Sequence, residues 1–239
     1  MLIYGINAVS EALKAGRVVS MRAGRRKDQR LQQLLIAAEQ ASVPIRRVSD
    51  EELDRESGGV SHQGVVADVS ERKVYDLHDL IEDARVNPPA LIVVLDGIED
   101  PHNFGAILRT CDGAGAHGVV RQTRHSAPLT GVVTKASAGA VAHVKIADVV
   151  NIARAVEDLK EAGIWTVGLA GDAPSTYDKM DFSLPTAFVL GAEGTGLRRL
   201  VRDRCDMLTA IPMKGHVDSL NVSVAAGVVL FEARRQREG

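Results

Sequence analysis

The chain has 239 residues, which suits one large or two small domains, and its 45% hydrophobic and 25% charged residues are an ordinary globular composition. A formal net charge of -2 excludes nucleic-acid binding through overall basicity, so a nucleic-acid-binding surface would have to be a local basic patch. No apolar run approaches transmembrane length, and the seven histidines and two cysteines lack metal-site spacing. We therefore expect no membrane and no metal, and a reduced, cytoplasmic setting.

Residues 1–70 predict a small α/β domain, because short apolar-periodic runs alternate with short β-type runs. Helices are predicted over Ile3–Ala15, from about Asp28 to Ala41, and over Asp50–Glu56. Strands are predicted from Val18, over Ile45–Val48 and over Val65–Val69.

The densest positive run of the chain lies inside this first domain. It consists of Arg22, Arg25, Arg26, Lys27 and Arg30. Such a run is either a solvated face before a helix or an edge that contacts RNA phosphates. His62 and Gln63, in the loop before Gly64, offer hydrogen bonds to the same RNA.

We expect a linker over residues 71–88, with one short helix at Leu77–Ala84. The segment from residue 89 alternates strands and helices, which is typical of a parallel sheet. Strands are predicted over Leu91–Leu95, Gly118–Val120, Val144–Ile146, Ile164–Leu169, Ala187–Leu190 and Met207–Ile211. Helices are predicted after Asn103, over Thr130–Ala138 and Val149–Ala162, and up to Arg234.

Three polar loops follow strands of this predicted sheet, over Asp96–Asn103, Gly191–Gly196 and Pro212–Asn221. Ligands of open parallel sheets bind beyond the carboxyl ends of the strands. In the second loop, the spacing of Gly191, Gly194 and Gly196 is the reverse of the dinucleotide-binding fingerprint. This loop is therefore either a tight turn or a ligand loop of another kind. Asn103 is expected to cap the next helix, where Arg109 is either a structural salt-bridge partner or a functional cation.

Three segments resemble the ordered motifs of the SpoU (TrmH-type) RNA ribose 2′-O-methyltransferases, which belong to the SPOUT class. Asp100–Thr110 is similar to the first motif, Gly191–Leu197 to the second and Ile211–Ala225 to the third. Ile3–Leu13 and His62–Val65 resemble the N-terminal RNA-binding domain of the RlmB subfamily. The resemblance therefore extends over nearly the whole chain.

The resemblance implies an α/β fold in two domains. Residues 89–239 would form a parallel-sheet catalytic domain whose C-terminal trefoil knot holds S-adenosylmethionine, a topology that no spacing in the chain reveals. Residues 1–70 would form an L30e-like α/β domain that binds the RNA substrate. The family also implies a homodimer with its site near the dimer interface, and large-subunit ribosomal RNA as the partner.

The resemblance gives the central catalytic role to Arg109. Because a guanidinium keeps its proton in proteins, we expect this side chain to hold the target phosphate and stabilise the forming alkoxide. The residues expected to orient Arg109 and the ribose are Asn103, Glu193, Ser219 and Asn221. The residues expected to contact the cofactor, mostly through backbone, are Leu190, Gly191, Ile211, Met213 and Leu220.

The function that this resemblance implies is methyl transfer from S-adenosylmethionine to the ribose 2′-hydroxyl of a guanosine in 23S rRNA. One alternative is a tRNA ribose 2′-O-methyltransferase of the same family, against which the N-terminal module argues. Another is a non-catalytic rRNA-binding assembly factor, against which intact Asn103, Arg109, Glu193 and Asn221 argue.

Overall fold

The computed structural model describes residues 2–14, 16–26, 28–69, 75–129 and 131–238. The chain forms two compact units, Met1–Lys73 (unit 1) and Val74–Gly239 (unit 2). Each unit has a sheet and hydrophobic clusters of its own.

The described part of unit 1 folds into a four-stranded sheet with helices on its faces. Its elements are β1 (Leu2–Tyr4), α1 (Ile6–Lys14), β2 (Val18–Ala23), α2 (Gln29–Gln40), β3 (Ile45–Arg47), α3 (Asp50–Glu56) and β4 (Val65–Val69). The strand order is β1-β4-β2-β3, with β2 parallel to β3 and antiparallel to β4. Val65 and Ala67 pack with α1 and α2, whereas Val66 packs with Leu53 of α3. Alternate residues of β4 thus bury opposite faces of the sheet.

The first predicted helix begins later than expected, because Leu2–Tyr4 is a strand paired with β4. Gly5 separates the strand from α1 with a φ of +92°, in the left-handed region that glycine adopts readily. The helix ends at Lys14, and Ala15 lies outside the described residues.

Unit 2 contains a parallel sheet that has six strands in the described residues. Its order is β10-β8-β9-β5-β6-β7, and every named pair is parallel. The strands are β5 (Leu91–Asp96), β6 (Gly118–Gln122), β7 (Ile146–Val149), β8 (Trp165–Leu169), β9 (Thr186–Gly191) and β10 (Met207–Thr209). The helices are α4 (Leu77–Val86), α5 (Pro101–Ala114), α6 (Gly131–Ala136), α7 (Ile152–Glu161), α8 (Arg199–Arg204) and α9 (Val222–Glu238).

Both faces of the unit 2 sheet are covered, as the continuous apolar run of β5 predicts. Leu91, Val93 and Leu95 pack in one buried cluster with residues of α5 and α9. Ile92 and Val94 pack in the other cluster with residues of α4 and α7. The α/β class with a small preceding unit is therefore confirmed, whereas the trefoil knot stays a prediction.

The expected linker over residues 71–88 differs from the structure. Residues 71–74 lie outside the described residues, but α4 follows at Leu77 and is part of unit 2. Leu80 and Ala84 of this helix are buried in the same cluster as Ile92 of the sheet. The helix therefore belongs to the core of unit 2, since its apolar side chains are removed from water there.

The polar loops of unit 2 lie at one edge of the sheet, where the strand order changes direction. β5 has β9 on one side and β6 on the other, so the chain builds the sheet outward in both directions from β5. Such a switch point leaves a crevice beyond the carboxyl ends of the strands. The loops after β5, β8, β9 and β10 all begin at this edge.

Candidate active site

A cavity of about 790 Å³ opens at this edge of unit 2. Its wall combines segments that follow β8, β9 and β10 with the residues that precede α9. The residues that the sequence assigns to the cofactor all lie in this wall: Leu190, Gly191, Ile211, Met213 and Leu220. The volume is typical of small-molecule sites, which span roughly 300–1,000 Å³.

The glycine loop, Gly191–Leu197, folds back on its own first residue. The amide of Ala192 donates to the carbonyl of Gly196 at 3.1 Å, and the amide of Gly196 donates to the carbonyl of Ala192 at 2.8 Å. A Cβ on Gly191 would lie 2.1 Å from the carbonyl carbon of Gly196. The close approach of the loop backbone therefore requires glycine at position 191.

Three of the predicted catalytic side chains meet beside the cavity, and we call Asn103, Glu193 and Asn221 the asparagine cluster. The side-chain nitrogen of Asn221 donates to Oδ1 of Asn103 at 2.9 Å and to Oε1 of Glu193 at 2.5 Å. The side-chain oxygen of Asn221 accepts from the amide of Ser223 at 2.9 Å, in the first turn of α9. Because the helix end takes the oxygen, the nitrogen faces the other two residues, and the network assigns the orientation of the amide.

We expected Asn103 to cap α5, but it lies inside the helix. The cap is Asp100, whose carboxylate accepts from the amide of His102 at 3.0 Å, and Pro101 occupies the first helical turn. Asn103 is 7% exposed and presents its side-chain oxygen to Asn221. A buried amide is stabilised by such a partner.

Arg109 is exposed and does not line the cavity. Its side chain has no hydrogen bond or ion pair within the described ranges. A salt bridge to those residues is therefore not the reason for an arginine at this position. Ser219 does line the cavity, and its hydroxyl donates to Oδ1 of Asp218 at 3.0 Å. The structure thus joins Asn103, Glu193 and Asn221, places Ser219 in the same wall and leaves Arg109 separate from the cluster.

Sequence reasoning missed an ion pair in the cavity wall between Asp172, after β8, and Arg202 of α8. Nη1 of Arg202 lies 2.7 Å from Oδ1 of Asp172, and this hydrogen bond lowers the pKa of the carboxyl below its ordinary value. Asp172 belongs to a Gly-Asp pair that follows the predicted strand Ile164–Leu169 after one residue, and this pair was the available signal. Arg202 carried no signal, because its short helix shows no clear apolar period.

In unit 1 the basic segment, Arg22 to Arg30, divides into paired and unpaired side chains. Arg22 lies on β2, where Nη1 is 2.6 Å from Oδ2 of Asp68 and Nε is 2.5 Å from Oε2 of Glu56. Its guanidinium therefore contributes to the unit's own structure, and the RNA contact expected of Arg22 stays a prediction. Arg25, Arg26 and Arg30 are exposed, and Lys27 lies outside the described residues.

His62 and Gln63 also form hydrogen bonds within unit 1, and their expected role as RNA contacts stays a prediction. Nδ1 of His62 accepts from the amide of Gly64 at 3.1 Å, so Nε2 carries the proton that faces Asp54 at 3.1 Å. The side-chain oxygen of Gln63 accepts from the amide of Ile6 at 2.9 Å, at the start of α1. Both side chains fix loops of unit 1.

The described ranges contain neither a metal-binding group nor a membrane-spanning helix. No group of three or more His, Cys, Asp or Glu side chains there is arranged to hold a metal ion. No helix in those ranges is long and apolar enough to span a membrane.

Comparison with known proteins relates both units to one family. A model of the SpoU rRNA methylase family matches residues 90–231, and a model described as RNA 2′-O ribose methyltransferase substrate binding matches residues 2–75. The 23S rRNA (guanosine-2′-O-)-methyltransferase RlmB of Pseudomonas putida is 45% identical over 243 residues, which cover 99% of this chain and 96% of that protein.

Solved structures are similar over the same extent. The SpoU methyltransferase AviRb from Streptomyces viridochromogenes, in complex with AdoMet, is 28% identical with a TM-score of 0.66, covering 100% of this chain and 90% of that one. An AdoMet-bound rRNA methyltransferase from Sinorhizobium meliloti is 25% identical with a TM-score of 0.64, covering 98% of this chain and 86% of that one.

Proposed function

The chain belongs to the SpoU rRNA methylase family, and from this we infer that it transfers a methyl group from S-adenosylmethionine to the ribose 2′-hydroxyl of a guanosine in 23S rRNA. The observation that carries this proposal is the asparagine cluster, in which Asn103, Glu193 and Asn221 meet at the edge of the cavity. A non-catalytic RNA-binding protein has no need of this arrangement.

The cavity suits S-adenosylmethionine in both volume and lining. The apolar side chains of Leu190, Ile211 and Leu220 suit an adenine ring, and the glycine loop presents backbone groups that suit its hydrogen-bonding edge. The pair of Asp172 and Arg202 offers charges to the polar end of the cofactor. S-adenosylmethionine supplies an electrophilic methyl group on its sulfonium.

The protein's part in the reaction is orientation and charge stabilisation. Placing a hydroxyl in line with the methyl group converts an encounter between two molecules into a step within one complex. In our proposal the asparagine cluster and Ser219 orient the ribose, because their amide and hydroxyl groups line or border the cavity. Arg109, which has no partner in the described chain, holds the target phosphate and stabilises the forming alkoxide.

Unit 1 supplies RNA affinity in this proposal. Arg25, Arg26 and Arg30 are exposed, and each donates from a guanidinium that matches the geometry of a phosphate. Such contacts position RNA without reading its sequence. In this proposal residues 1–70 form an L30e-like domain that binds the RNA substrate.

The protein is also proposed to act as a homodimer in the cytoplasm, where rRNA is found. Support for association comes from α9, on which Val224 is 52% exposed and Phe231 is 49% exposed. They lie seven positions apart and therefore share a helix face. An exposed apolar stripe of this kind is typical of a protein interface.

Mapping of ribose methylation in 23S rRNA tests the proposal in the cell. Primer extension at low nucleotide concentration should lose one stop at a guanosine when the gene is deleted. The stop should return with the wild-type gene. An unchanged rRNA pattern together with a lost methylation in tRNA would replace the rRNA substrate by tRNA.

A further inference from the structure

A buried carboxylate lies at the carboxyl end of β5. The side chain of Asp96 is 0% exposed, and it does not line the cavity. A charge removed from water in this way is tolerated only when other groups compensate it.

Within the described chain, the hydrogen-bond and ion-pair partners of the Asp96 carboxylate all belong to Arg198, which is 102 positions further along the sequence. The backbone amide of Arg198 donates to Oδ2 at 2.8 Å. Nε donates to Oδ1 at 2.6 Å, and Nη2 lies 2.5 Å from the same oxygen. Both carboxylate oxygens are therefore engaged, by the backbone and by the side chain of one residue.

Asp96 contacts the chain at both ends of the glycine loop. Gly191, where the loop begins, lies opposite Asp96 in the register between β5 and β9. The chain then passes Glu193 and returns at Arg198 to the same carboxylate. Nη2 of Arg198 also donates to Oε1 of Gln122 at 2.8 Å, so the end of the loop is tied to β6 as well.

Arg198 also precedes α8, so the same contact fixes where that helix starts. Arg202, one turn into α8, lines the cavity and pairs with Asp172. Two parts of the cavity wall, the glycine loop and α8, are thus held in place through the carboxylate of Asp96.

We propose that Asp96 is a positioning residue for the cofactor cavity, whose negative charge holds Arg198 and through it the glycine loop and Glu193. The inference rests on the proposed function in taking S-adenosylmethionine as the occupant of the cavity. Asp96 touches no reacting group, and its effect is transmitted by the loop.

The chain offers a matched control in a second ion pair with a buried member. Arg121 is 8% exposed, and its Nε donates to Oδ1 of Asp148 at 2.7 Å. Neither residue lines the cavity. The carboxylate of Asp148 is 39% exposed, unlike that of Asp96, so the buried member of this pair is the arginine. Asp148→Asn therefore breaks an ion pair of unit 2 without releasing the glycine loop.

Calorimetry with S-adenosylhomocysteine on the full chain, below the melting temperature of each variant, tests the proposal. Asp96→Asn should raise the Kd at least tenfold and raise the KM for S-adenosylmethionine in parallel, because a neutral amide holds Arg198 weakly. Asp148→Asn should lower the melting temperature but leave the Kd within twofold. Asp96→Asn with wild-type affinity, or equal weakening by both variants, would overturn the proposal.

Arg198→Lys decides the question if Asp96→Asn does not fold. Lysine keeps a positive charge beside Asp96, but its single ammonium cannot reproduce the contacts of the guanidinium with both Asp96 and Gln122. A Kd raised about fivefold supports the proposal, and an unchanged Kd contradicts it. Wild-type protein that binds no S-adenosylhomocysteine would count against the proposed function itself, whereas wild-type binding that Asp96→Asn leaves intact overturns only the positioning role.

Discussion

The asparagine cluster of unit 2 and the basic segment of unit 1 are built in opposite ways. The cluster joins residues that are far apart in the sequence: Asn103 and Asn221 are separated by 118 positions. The basic segment is contiguous in sequence, yet Arg22 is bound to carboxylates while Arg25 and Arg26 are exposed. Convergence of distant polar residues requires the whole fold and points to function. A run of like charges requires no fold, and its members take separate roles.

The comparison predicts that Arg109, whose side chain has no partner in the described part of unit 2, is required for the chemistry. Arg109→Ala should lower kcat by about 10²–10³-fold, the effect of removing a group that stabilises charge in the transition state. Affinity for S-adenosylhomocysteine should stay unchanged, because Arg109 does not line the cavity. Steady-state kinetics and calorimetry measure the two quantities. Arg199→Ala, which removes an exposed arginine of α8, is the control, and equal rates in both variants would exclude Arg109 from the reaction.

The glycine loop, which carries Glu193 of the asparagine cluster, is tested at Gly191. Gly191→Val should weaken S-adenosylhomocysteine binding at least about tenfold, the equivalent of about 1.4 kcal/mol of lost contacts, because the glycine loop is displaced. The displacement follows from the overlap of any Cβ with the backbone of Gly196. Gly215→Val, where a Cβ meets no atom within 4 Å, should bind normally. Normal binding by Gly191→Val would mean that the glycine loop does not form the cofactor site.

The exposed part of the basic segment should affect RNA and not the cofactor. Arg25→Glu combined with Arg26→Glu should weaken RNA binding about tenfold and reduce the slope of log K against log salt by about one for each lost phosphate contact. Filter binding over a salt series measures both, and calorimetry with S-adenosylhomocysteine should be unchanged. Arg154→Glu with Arg235→Glu alters the net charge equally and should leave the slope as it was. If the two double variants behave alike, the segment is an ordinary solvated face.

The paired part of the same segment should affect stability instead. Arg22→Met should lower the free energy of unfolding of unit 1 by about 1 kcal/mol, the size of a partly exposed charged contact. Hydrogen bonds from Arg22 and then Ser20 hold the pKa of Asp68 below its ordinary value of 3.8. A depressed pKa stabilises the fold above 3.8, and this contribution is lost as the pH falls through the lower folded pKa. The difference from wild type in thermal melts should therefore shrink below pH 3.8.

Arg25→Met is the matched control for that experiment, because Arg25 is exposed and adjacent in the same segment. It should melt like the wild type at every pH. If Arg22→Met melts normally and instead lowers RNA affinity, the contact with Asp68 is not what Arg22 contributes, and the division of the segment is wrong.

Sequence predicted the fold of unit 2 well where burial alone decides it. The run Leu91–Leu95 has no polar residue, so a strand covered on both faces was the natural interpretation, and β5 is that strand. The packing of α4 was not predicted, because its flanking prolines and polar residues resemble a linker. The helix α8 was missed because six residues are too few to show an apolar period.

For the candidate site, the sequence named residues but not the contacts between them. The motifs identified Asn103, Glu193 and Asn221, yet no local pattern states that one amide bonds both of the others. Asp96 was seen only as the first residue of a polar loop, since its partner lies 102 positions away. The roles of His62 and Gln63 depended in the same way on contacts with Asp54 and Ile6. Composition and spacing carry no information about such long-range partners.

The central claim is that the protein methylates a guanosine ribose, with S-adenosylmethionine in the cavity and the asparagine cluster orienting the ribose. Unmodified 23S rRNA should be incubated with the protein and S-adenosylmethionine carrying a radiolabelled methyl group, then digested to nucleosides and separated by chromatography. The account predicts that the label elutes as 2′-O-methylguanosine and that Asn221→Ala, which removes the shared amide of the cluster, yields little of it. Label on a base or on another nucleoside, or equal yield from Asn221→Ala, would contradict it.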